Sequence, residues 1–253
     1  MSTVDRALGI LRLFTIERPE WSVEEAARAI GSPTSTVYRD FRSLTEAGLI
    51  VNFTAGRYVI GPAIVQLDYQ TRRLDPLIVA AQPVLDELAG ESERDVVVLL
   101  CRIYRLTVMC VDQRANTANH RALSYERGRP MPLYRGAPSK IILAHLPRRV
   151  LQRCYEQDGA VIADAGLGQD WREFLDTLRG LRRARCSVTA GDLDRGVLGV
   201  AAPVFGPEGE IMASISLVVE AAEADTRMTK DLCERAIAGA QTLTDRLKAR
   251  ANG

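Results

Sequence analysis

The sequence has few of the residues from which metal centres, disulfide frameworks and membrane spans are built. Its 253 residues include two histidines, His120 and His145, and five cysteines without any C-x-x-C spacing. An odd number of cysteines and the lack of C-x-x-C pairs argue against a disulfide framework or a zinc cage, so buried, reduced thiols are expected. No apolar run reaches the roughly 18 residues of a membrane span, and the first residues lack the apolar core of a signal peptide. We therefore expect a cytoplasmic protein without a bound metal ion or a membrane contact.

Lysine is also scarce: Lys140, Lys230 and Lys248 are the only three, and the formal net charge is +1. Any nucleic-acid role must then come from a local patch of arginines, which form planar, bidentate contacts to phosphate. Neither a Gly-rich phosphate loop nor a dinucleotide fingerprint is present. Ser139 and Lys140 are adjacent in a predicted helix and point about 100° apart, so they do not converge as a catalytic pair. The sequence thus predicts no catalytic residue and no cofactor.

Helices open the chain. Apolar residues at helical spacing predict a first helix over residues 3–16. Ser22 followed by Glu25 forms a capping box, which predicts the start of a second helix. Gly31 is expected to end that helix, because glycine adopts the left-handed conformation common at helix C-termini.

A third helix and a hairpin follow. Ser32 is expected to cap the third helix, with Pro33 at its first position and an end near Ala47. Residues 49–53 and 57–60 are β-prone and are separated by a tight turn. The order helix, helix, helix, hairpin predicts a winged helix-turn-helix.

The remainder predicts an α+β fold with a mostly antiparallel sheet. A helical linker is expected from Pro62 to Leu74, followed by a helix to Gly90 that Pro83 should divide into two pieces. Two strands within 95–113, an edge strand at 120–125, and strands at 186–190, 197–205 and 211–219 are expected. Helices are expected at 136–146, 148–155, 171–184 and 227–249.

The third predicted helix has two chemically different faces. Val37, Phe41 and Leu44 fall on one side and are expected in the core. The other surface offers hydroxyl, phenol and guanidinium groups that can contact phosphates and base edges in a major groove, and an arginine at the hairpin turn could contact a flanking phosphate. The expected DNA-binding residues are Thr34, Ser35, Thr36, Tyr38, Arg39, Arg42 and Arg57.

Two other functions fit parts of the pattern. Arginine-bearing helix faces are often only solvated, and a winged helix can also dock another protein. The second alternative function is an enzyme in the second half of the chain, which would require a convergent nucleophile and base that the sequence does not show.

Six segments follow one another along the chain: "VDRALGILRLF", "SVEEAARAIGSPTSTVYRDFRSLTEAGLI", "GRYVIGPAIVQL", "PVLDELA", "GRPMPLYRGAPSKIILAHL" and "GVLGVAAPVFGPEGEIMASISLV". In their order and spacing, the chain resembles the IclR family of bacterial transcriptional regulators over nearly its whole length. The resemblance implies a winged helix-turn-helix DNA-binding domain at 1–61, a linker helix at 62–75 and a GAF-like effector-binding domain at 76–253. It implies homodimers that pair through their DNA-binding parts, or homotetramers, on a palindromic operator. The implied protein is a repressor or activator of a catabolic or metabolic operon whose effector is a small organic acid.

The resemblance also implies an effector pocket. Its lining would comprise Leu123, Met131, Ala137, Pro138, Thr189, Gly199, Ser214 and Ser216. Two positions depart from the family pattern: Ser139 stands where glycine is common, and Arg135 where a small residue is usual. Arg135 is expected either to pair with an effector carboxylate or to point to solvent or into a dimer interface.

Overall fold

The chain folds into two units, Met1–Asp75 and Pro76–Gly253. The structure, a computed structural model, describes residues 2–92, 95–116 and 123–251. The first unit comprises helices α1 (Thr3–Leu11), α2 (Val23–Ile30), α3 (Thr34–Glu46) and α4 (Ala63–Leu74), with strands β1 (Ile50–Thr54) and β2 (Arg57–Ile60) between α3 and α4. The expected winged helix-turn-helix order is therefore confirmed.

Helix α1 is shorter than the predicted 3–16. It ends at Leu11, and the chain then turns so that the Leu13 carbonyl accepts a hydrogen bond from the Trp21 indole N–H at 2.8 Å. Because this carbonyl is satisfied by a side chain from further along the chain, the backbone has no need of another helical turn there.

The boundary between α2 and α3 confirms one expectation and corrects another. Ser22 and Glu25 form the expected capping box of α2, and Gly31 ends the helix with a φ of 70°. Ser32, however, does not cap α3: its backbone N–H donates to the Ala27 carbonyl and so closes α2. Pro33 is consequently the N-cap of α3, in an extended conformation, and not its first helical residue.

The second unit is built on a six-stranded antiparallel sheet in the order β5-β4-β3-β8-β7-β6. Its strands are β3 (Val97–Tyr104), β4 (Thr107–Ala115), β5 (Pro130–Pro132), β6 (Ser187–Ala190), β7 (Val197–Phe205) and β8 (Ile211–Glu220). Its helices are α5 (Pro76–Gly90), α6 (Ala137–Ala144), α7 (Arg148–Asp164), α8 (Trp171–Ala184) and α9 (Thr226–Ala251), with a short 3-10 turn at Ala221–Glu223.

Helices cover both faces of this sheet. In β8, Ala213, Ile215 and Leu217 pack with α5 and α9, whereas Val218 packs with residues of α6, α7 and α8. Because side chains alternate along a strand, the even-numbered residues of β8 face α6. This alternation determines which residues can line a cleft beneath α6.

Three sequence-based expectations in this unit are wrong. Helix α5 runs unbroken through Pro83, because packing of Val84 and Leu85 in the core outweighs the lost backbone hydrogen bond. Helix α7 continues past Tyr155 to Asp164, leaving helical geometry only at Asp158. The predicted edge strand at 120–125 is replaced by β5, which forms one edge of the sheet beside β4. Residues 123–125 form no strand, and residues 120–122 lie outside the described residues.

Gly61, the residue after the hairpin, lies very close to the backbone of Gly48. A Cβ atom at Gly61 would lie 2.2 Å from the Gly48 carbonyl oxygen, whereas one at Gly9 in α1 would meet nothing within 4 Å. We expect Gly61→Ala to lower the thermal unfolding midpoint by several degrees. Gly9→Ala should raise it slightly, since alanine is favoured over glycine in a helix by about 1 kcal/mol. Calorimetry on both variants measures the contrast, and equal midpoints would contradict the close approach.

Candidate functional site

Helix α3 has one buried face and one exposed face. Val37, Phe41 and Leu44 are 0%, 1% and 6% exposed and pack in the core of the first unit, as expected. Its remaining surface carries the exposed residues Thr34, Ser35, Tyr38, Arg39 and Arg42, with Thr36 half-buried. The helix therefore presents hydroxyl, phenol and guanidinium groups on a rigid, packed support.

The charges on the exposed face of α3 are only partly compensated. Arg42 forms an i,i+4 pair with Glu46 at 2.9 Å, and both side chains are largely exposed, so the pair is weak. Arg39 has no ion-pair partner among the described residues. No side chain caps the N-terminus of α3, so its first-turn amides are not taken up by a capping group. An anion can be stabilised at such a terminus.

A buried ion pair fixes the orientation of α3. Asp40 is 4% exposed and accepts two hydrogen bonds from Arg6 of α1, with Nε to Oδ2 at 2.5 Å and Nη2 to Oδ1 at 3.2 Å. A bidentate contact restrains both the position and the rotation of the two groups. Asp40 thus belongs to the supporting face of α3, one residue away from the exposed Arg39.

The hairpin of β1 and β2 is attached to the same core. Tyr58 contacts Phe41 edge to face, with ring centroids 4.9 Å apart. Trp21 exchanges two backbone hydrogen bonds with Tyr58, at 3.1 and 3.0 Å. The position of the hairpin relative to α3 is therefore set by packing and by a short bridge to the segment before α2.

Arg57, expected to contact a phosphate, lies against a carboxylate. Its Nη1 is 2.6 Å from Glu25 Oε2, which also lies 3.2 Å from Arg18. The backbone hydrogen bond from Ser22, together with the nearby arginine charges, lowers the pKa of Glu25. Glu25 therefore remains ionised at neutral pH, and the positive charge of Arg57 is compensated although 43% of its side chain is exposed.

A cleft lies beside the N-terminus of α6 in the second unit. Its volume is ≈ 390 Å³ including the open mouth, and its surface is mostly apolar. Five of the residues expected to bind an effector line it: Leu123, Ala137, Pro138, Thr189 and Gly199. The other lining residues are Leu99, Tyr125, Gly136, Asp192, Leu193, Asp194, Val197 and Val218.

Four residues expected in the pocket do not line this cleft. Met131 is buried in the apolar cluster between the sheet and α7, because β5 pairs it with Val108. Ser214 and Ser216 face α6 but precede the lining residue Val218 on β8. Their buried hydroxyl oxygens have no hydrogen-bond partner among the described residues. Arg135 points towards Asp164, at 2.5 Å.

Polar contacts surround the mouth of the cleft. The Asp192 carboxylate accepts hydrogen bonds from the Gly136 backbone N–H and from Lys140 Nζ, both at 2.8 Å. Burial acts to raise the pKa of Asp192, but these bonds and the charge of Lys140 outweigh it, so the pKa lies below its usual value. Asp194 accepts from the Ser124 backbone N–H at 2.9 Å and from its hydroxyl at 2.5 Å.

Comparison with protein families matches both units. The IclR helix-turn-helix domain matches residues 3–52, and the bacterial transcriptional regulator IclR C-terminal domain matches residues 71–245. The chain belongs to the IclR family. An IclR-family protein is a transcriptional regulator with a DNA-binding helix-turn-helix and an effector-binding C-terminal domain, and not an enzyme, as the sequence led us to expect.

This IclR-family protein is similar in sequence to a curated regulator and in fold to solved structures. It is 28% identical to the HTH-type transcriptional regulator KipR of Bacillus subtilis over 90% of this chain and 88% of that protein. The IclR regulator of Alicyclobacillus acidocaldarius superposes with a TM-score of 0.79 at 18% identity, covering 97% of this chain and 98% of that one. An IclR homologue of Microbacterium hydrocarbonoxydans complexed with 4-hydroxybenzoate gives 0.75 at 16% identity, covering 98% and 100%.

Some residues of the two sites carried no signal in the sequence of this IclR-family protein. Tyr125 lines the cleft and forms a hydrogen bond with Ser139 at 2.7 Å, and burial raises its pKa. Asp192 and Asp194 reach the cleft from a loop whose sequence indicates only a turn. Asp40 had a detectable signal, because its spacing from Val37 and Leu44 places it on the buried face.

Two expected absences can be examined in the described part of the chain. Its His, Cys, Asp and Glu side chains form no group of three that could hold a metal ion. Among residues 2–92, 95–116 and 123–251, no helix combines the length and apolar character that crossing a bilayer requires. His120, one of the two histidines, lies outside the described residues.

The Arg6–Asp40 pair predicts a specific pattern of stability. Arg6→Met keeps the aliphatic stem but leaves a buried carboxylate without its partner, so the thermal midpoint should fall by several degrees. Arg6→Met combined with Asp40→Leu should recover most of that loss, since an apolar pair can replace a buried ion pair at little cost. Circular dichroism gives the midpoints, with Arg12→Met, at the exposed C-cap of the same helix, as the control. A double variant no more stable than the single one would contradict this account.

Proposed function

We propose that this IclR-family protein is a homodimeric or homotetrameric regulator that binds a palindromic operator through α3 and responds to a small organic acid in the cleft beside α6. The observation that carries the DNA-binding part is the exposed face of α3, where the Arg39 guanidinium stands without an ion-pair partner among the described residues. The opposite face is packed in the core, so the exposed face can enter a groove without unfolding the unit.

Each residue of this face has a proposed role. Arg39 and Arg42 contact phosphates or the acceptor edges of guanines, since a guanidinium donates to both. The hydroxyls of Thr34, Ser35 and Thr36 lie near the N-terminus of α3 and donate to phosphates or base edges, and Tyr38, 59% exposed, flanks them. Arg57 contributes at the hairpin only to the extent that phosphate replaces Glu25 as its partner.

Exposed apolar side chains support pairing of two copies. Helix α4 has no buried residue, yet it exposes Val65, Leu67 and Leu74 at 72%, 51% and 70%. Val4 and Leu8 add a second exposed apolar strip on α1, at 66% and 48%. A 12-residue helix without buried contacts is marginal in water, so a partner that covers it stabilises it. The partner proposed is a second copy of this chain, whose two-fold axis matches a palindromic operator.

The cleft supports a small effector with an apolar body and few polar groups. Three leucines, two valines and a proline stand in its wall, whose surface is mostly apolar, and Tyr125 and Thr189 offer hydroxyls. The structural relative from Microbacterium hydrocarbonoxydans is complexed with 4-hydroxybenzoate, an acid of this general kind. Effector binding shifts the population between arrangements of the paired DNA-binding units, with α4 as the covalent connection. Whether the outcome is repression or activation depends on which arrangement the effector favours.

Removing the Arg39 guanidinium tests the DNA-binding proposal. We expect Arg39→Ala to weaken binding to all duplex sequences and to reduce the slope of log affinity against log salt by about 1, because one phosphate contact is lost. Gel-shift or fluorescence-anisotropy titrations over a salt series measure this slope. Arg172→Ala removes the same charge from exposed α8 and is the control. An Arg39→Ala variant with the parent's affinity and slope would show that α3 does not contact DNA.

A charge in the exposed apolar surface of α4 tests pairing. Val65→Glu places a carboxylate where the proposed interface excludes water, so the protein should become monomeric and bind an operator more weakly. Val161→Glu is the matched control, because Val161 is 49% exposed on α7 of the other unit. Sedimentation velocity separates the species. Unchanged association of the Val65→Glu variant would remove α4 from the proposed interface.

A further inference from the structure

The loop between β6 and β7, residues 191–196, lies across the cleft. It supplies Asp192, Leu193 and Asp194 to the lining, and the Gly191 N–H donates to the Val197 carbonyl at 2.9 Å at its base. Contact with α6 is close: a Cβ atom at Gly136 would lie 2.8 Å from Leu193 Cδ1. Only glycine therefore fits at Gly136, which itself has a φ of 80°.

Asp192 is held by donors that suit a carboxylate of any origin. Its Oδ2 atom lies 2.8 Å from the Gly136 N–H, which is the N-cap amide of α6, and 2.8 Å from Lys140 Nζ. Its Oδ1 atom lies 3.6 Å from Arg135 Nη1. Two side-chain cations and a helix N-terminus thus converge on one carboxylate, a combination that favours anions strongly.

The position of Lys140 shows why this arrangement concerns the cleft. Lys140 is 15% exposed and does not line the cleft, whereas Asp192 does. The ammonium group of Lys140 is therefore next to the cleft lining through its contact with the Asp192 carboxylate, at 2.8 Å. An acidic molecule that enters meets the carboxylates of Asp192 and Asp194 first, and it is repelled until Asp192 leaves the donors.

We propose that the Gly136 amide, Lys140 and Arg135 form a carboxylate-binding site that Asp192 occupies, and that an acidic effector binds by replacing the Asp192 side chain. The inference rests on the proposed effector role of the cleft and deepens it by naming the effector's anchoring group and the residues that receive it. Asp192 acts as an internal competitor for these donors. It therefore weakens the binding of acids that lack enough apolar surface to fill the cleft.

The displaced loop has a defined way to respond. Gly191 and Gly196 stand at its two ends with φ values of 67° and 75°, a region that glycine enters without strain. Once Asp192 is released, the hydrogen bonds from Ser124 to Asp194 still connect the loop to the segment before β5. Exchange of one carboxylate for another is thereby converted into movement of a loop joined directly to β6 and β7.

Chemical rescue tests the site without knowledge of the natural effector. The Asp192→Ala variant removes the internal carboxylate and keeps its donors, and acetate supplies the same group in solution. We expect acetate to bind this variant at least about tenfold more tightly than the parent, since charge-assisted hydrogen bonds contribute this much or more. The measurements are the chemical shift of the Gly136 amide and the thermal midpoint, which should rise with acetate concentration.

Controls separate a specific site from general effects. Acetamide, which is neutral, and chloride at equal ionic strength should have little effect on the Asp192→Ala variant. In the parent, Asp194 accepts hydrogen bonds from Ser124 and not from the donors of Asp192. The Asp194→Ala variant should therefore gain no affinity for acetate. Adding Lys140→Met to Asp192→Ala should abolish the response. Equal effects of acetate and acetamide, or no acetate binding by folded Asp192→Ala, would overturn the proposal.

A second variant covers the case in which Asp192→Ala does not fold. Asp192→Asn keeps the side-chain shape but loses the charge, so it too should bind acetate more tightly than the parent, and failure to do so overturns the inference. The same preparations are titrated with duplex DNA in the salt series used for Arg39→Ala. Loss of the acetate effect with DNA binding intact would remove this inference and leave the proposed regulatory function standing.

Discussion

Burial of one side of α3 is the constraint on which the DNA-binding unit depends. Val37, Phe41 and Leu44 are packed in the core, and the bidentate bond from Arg6 fixes Asp40 on the same side. A helix has a fixed angular spacing, so restraining one face also determines the direction of the other. The hairpin follows from the same core, because Phe41 is the residue that Tyr58 contacts. The exposed groups of α3 and the hairpin are therefore oriented by a single cluster.

Much of this unit could be predicted from sequence because it depends on short-range patterns. The two faces of α3, the capping box of α2 and the tight hairpin turn each follow from residues within a few positions of one another. Long-range contacts were not predictable: Arg6 and Asp40 are 34 residues apart, and an ion pair leaves no spacing signal. Local rules also failed where tertiary contacts competed, as at Ser32, whose N–H closes α2, and at Pro83, which core packing keeps helical.

The lining of the cleft could be predicted from sequence less completely than the first unit, because part of it depends on contacts between distant residues. Ala137 and Gly199, which the family resemblance implies for the effector pocket, both line the cleft and belong to α6 and β7. Asp192, Leu193 and Asp194, which the resemblance does not include, also line the cleft, from a loop held by a hydrogen bond between Gly136 and Asp192, 56 residues apart. Ser216, which the resemblance also implies, lies two residues from the lining residue Val218 on the same face of β8. Met131 on β5 is likewise implied by the resemblance but is buried outside the cleft lining, so strand residues as well as loop residues differ from the expectation.

Charge compensation explains how a DNA-binding unit can belong to a nearly neutral chain. Glu25 offsets one of the two positive charges of Arg57 and Arg18, Asp40 offsets that of Arg6, and Glu46 forms a weak exposed pair with Arg42. These pairs lower the long-range attraction to any duplex, which is the sequence-independent part of DNA affinity. The affinity that remains must then come from close contacts in the groove, where base identity contributes. A regulator that pairs part of its arginines in this way gains discrimination between sites at the expense of general affinity.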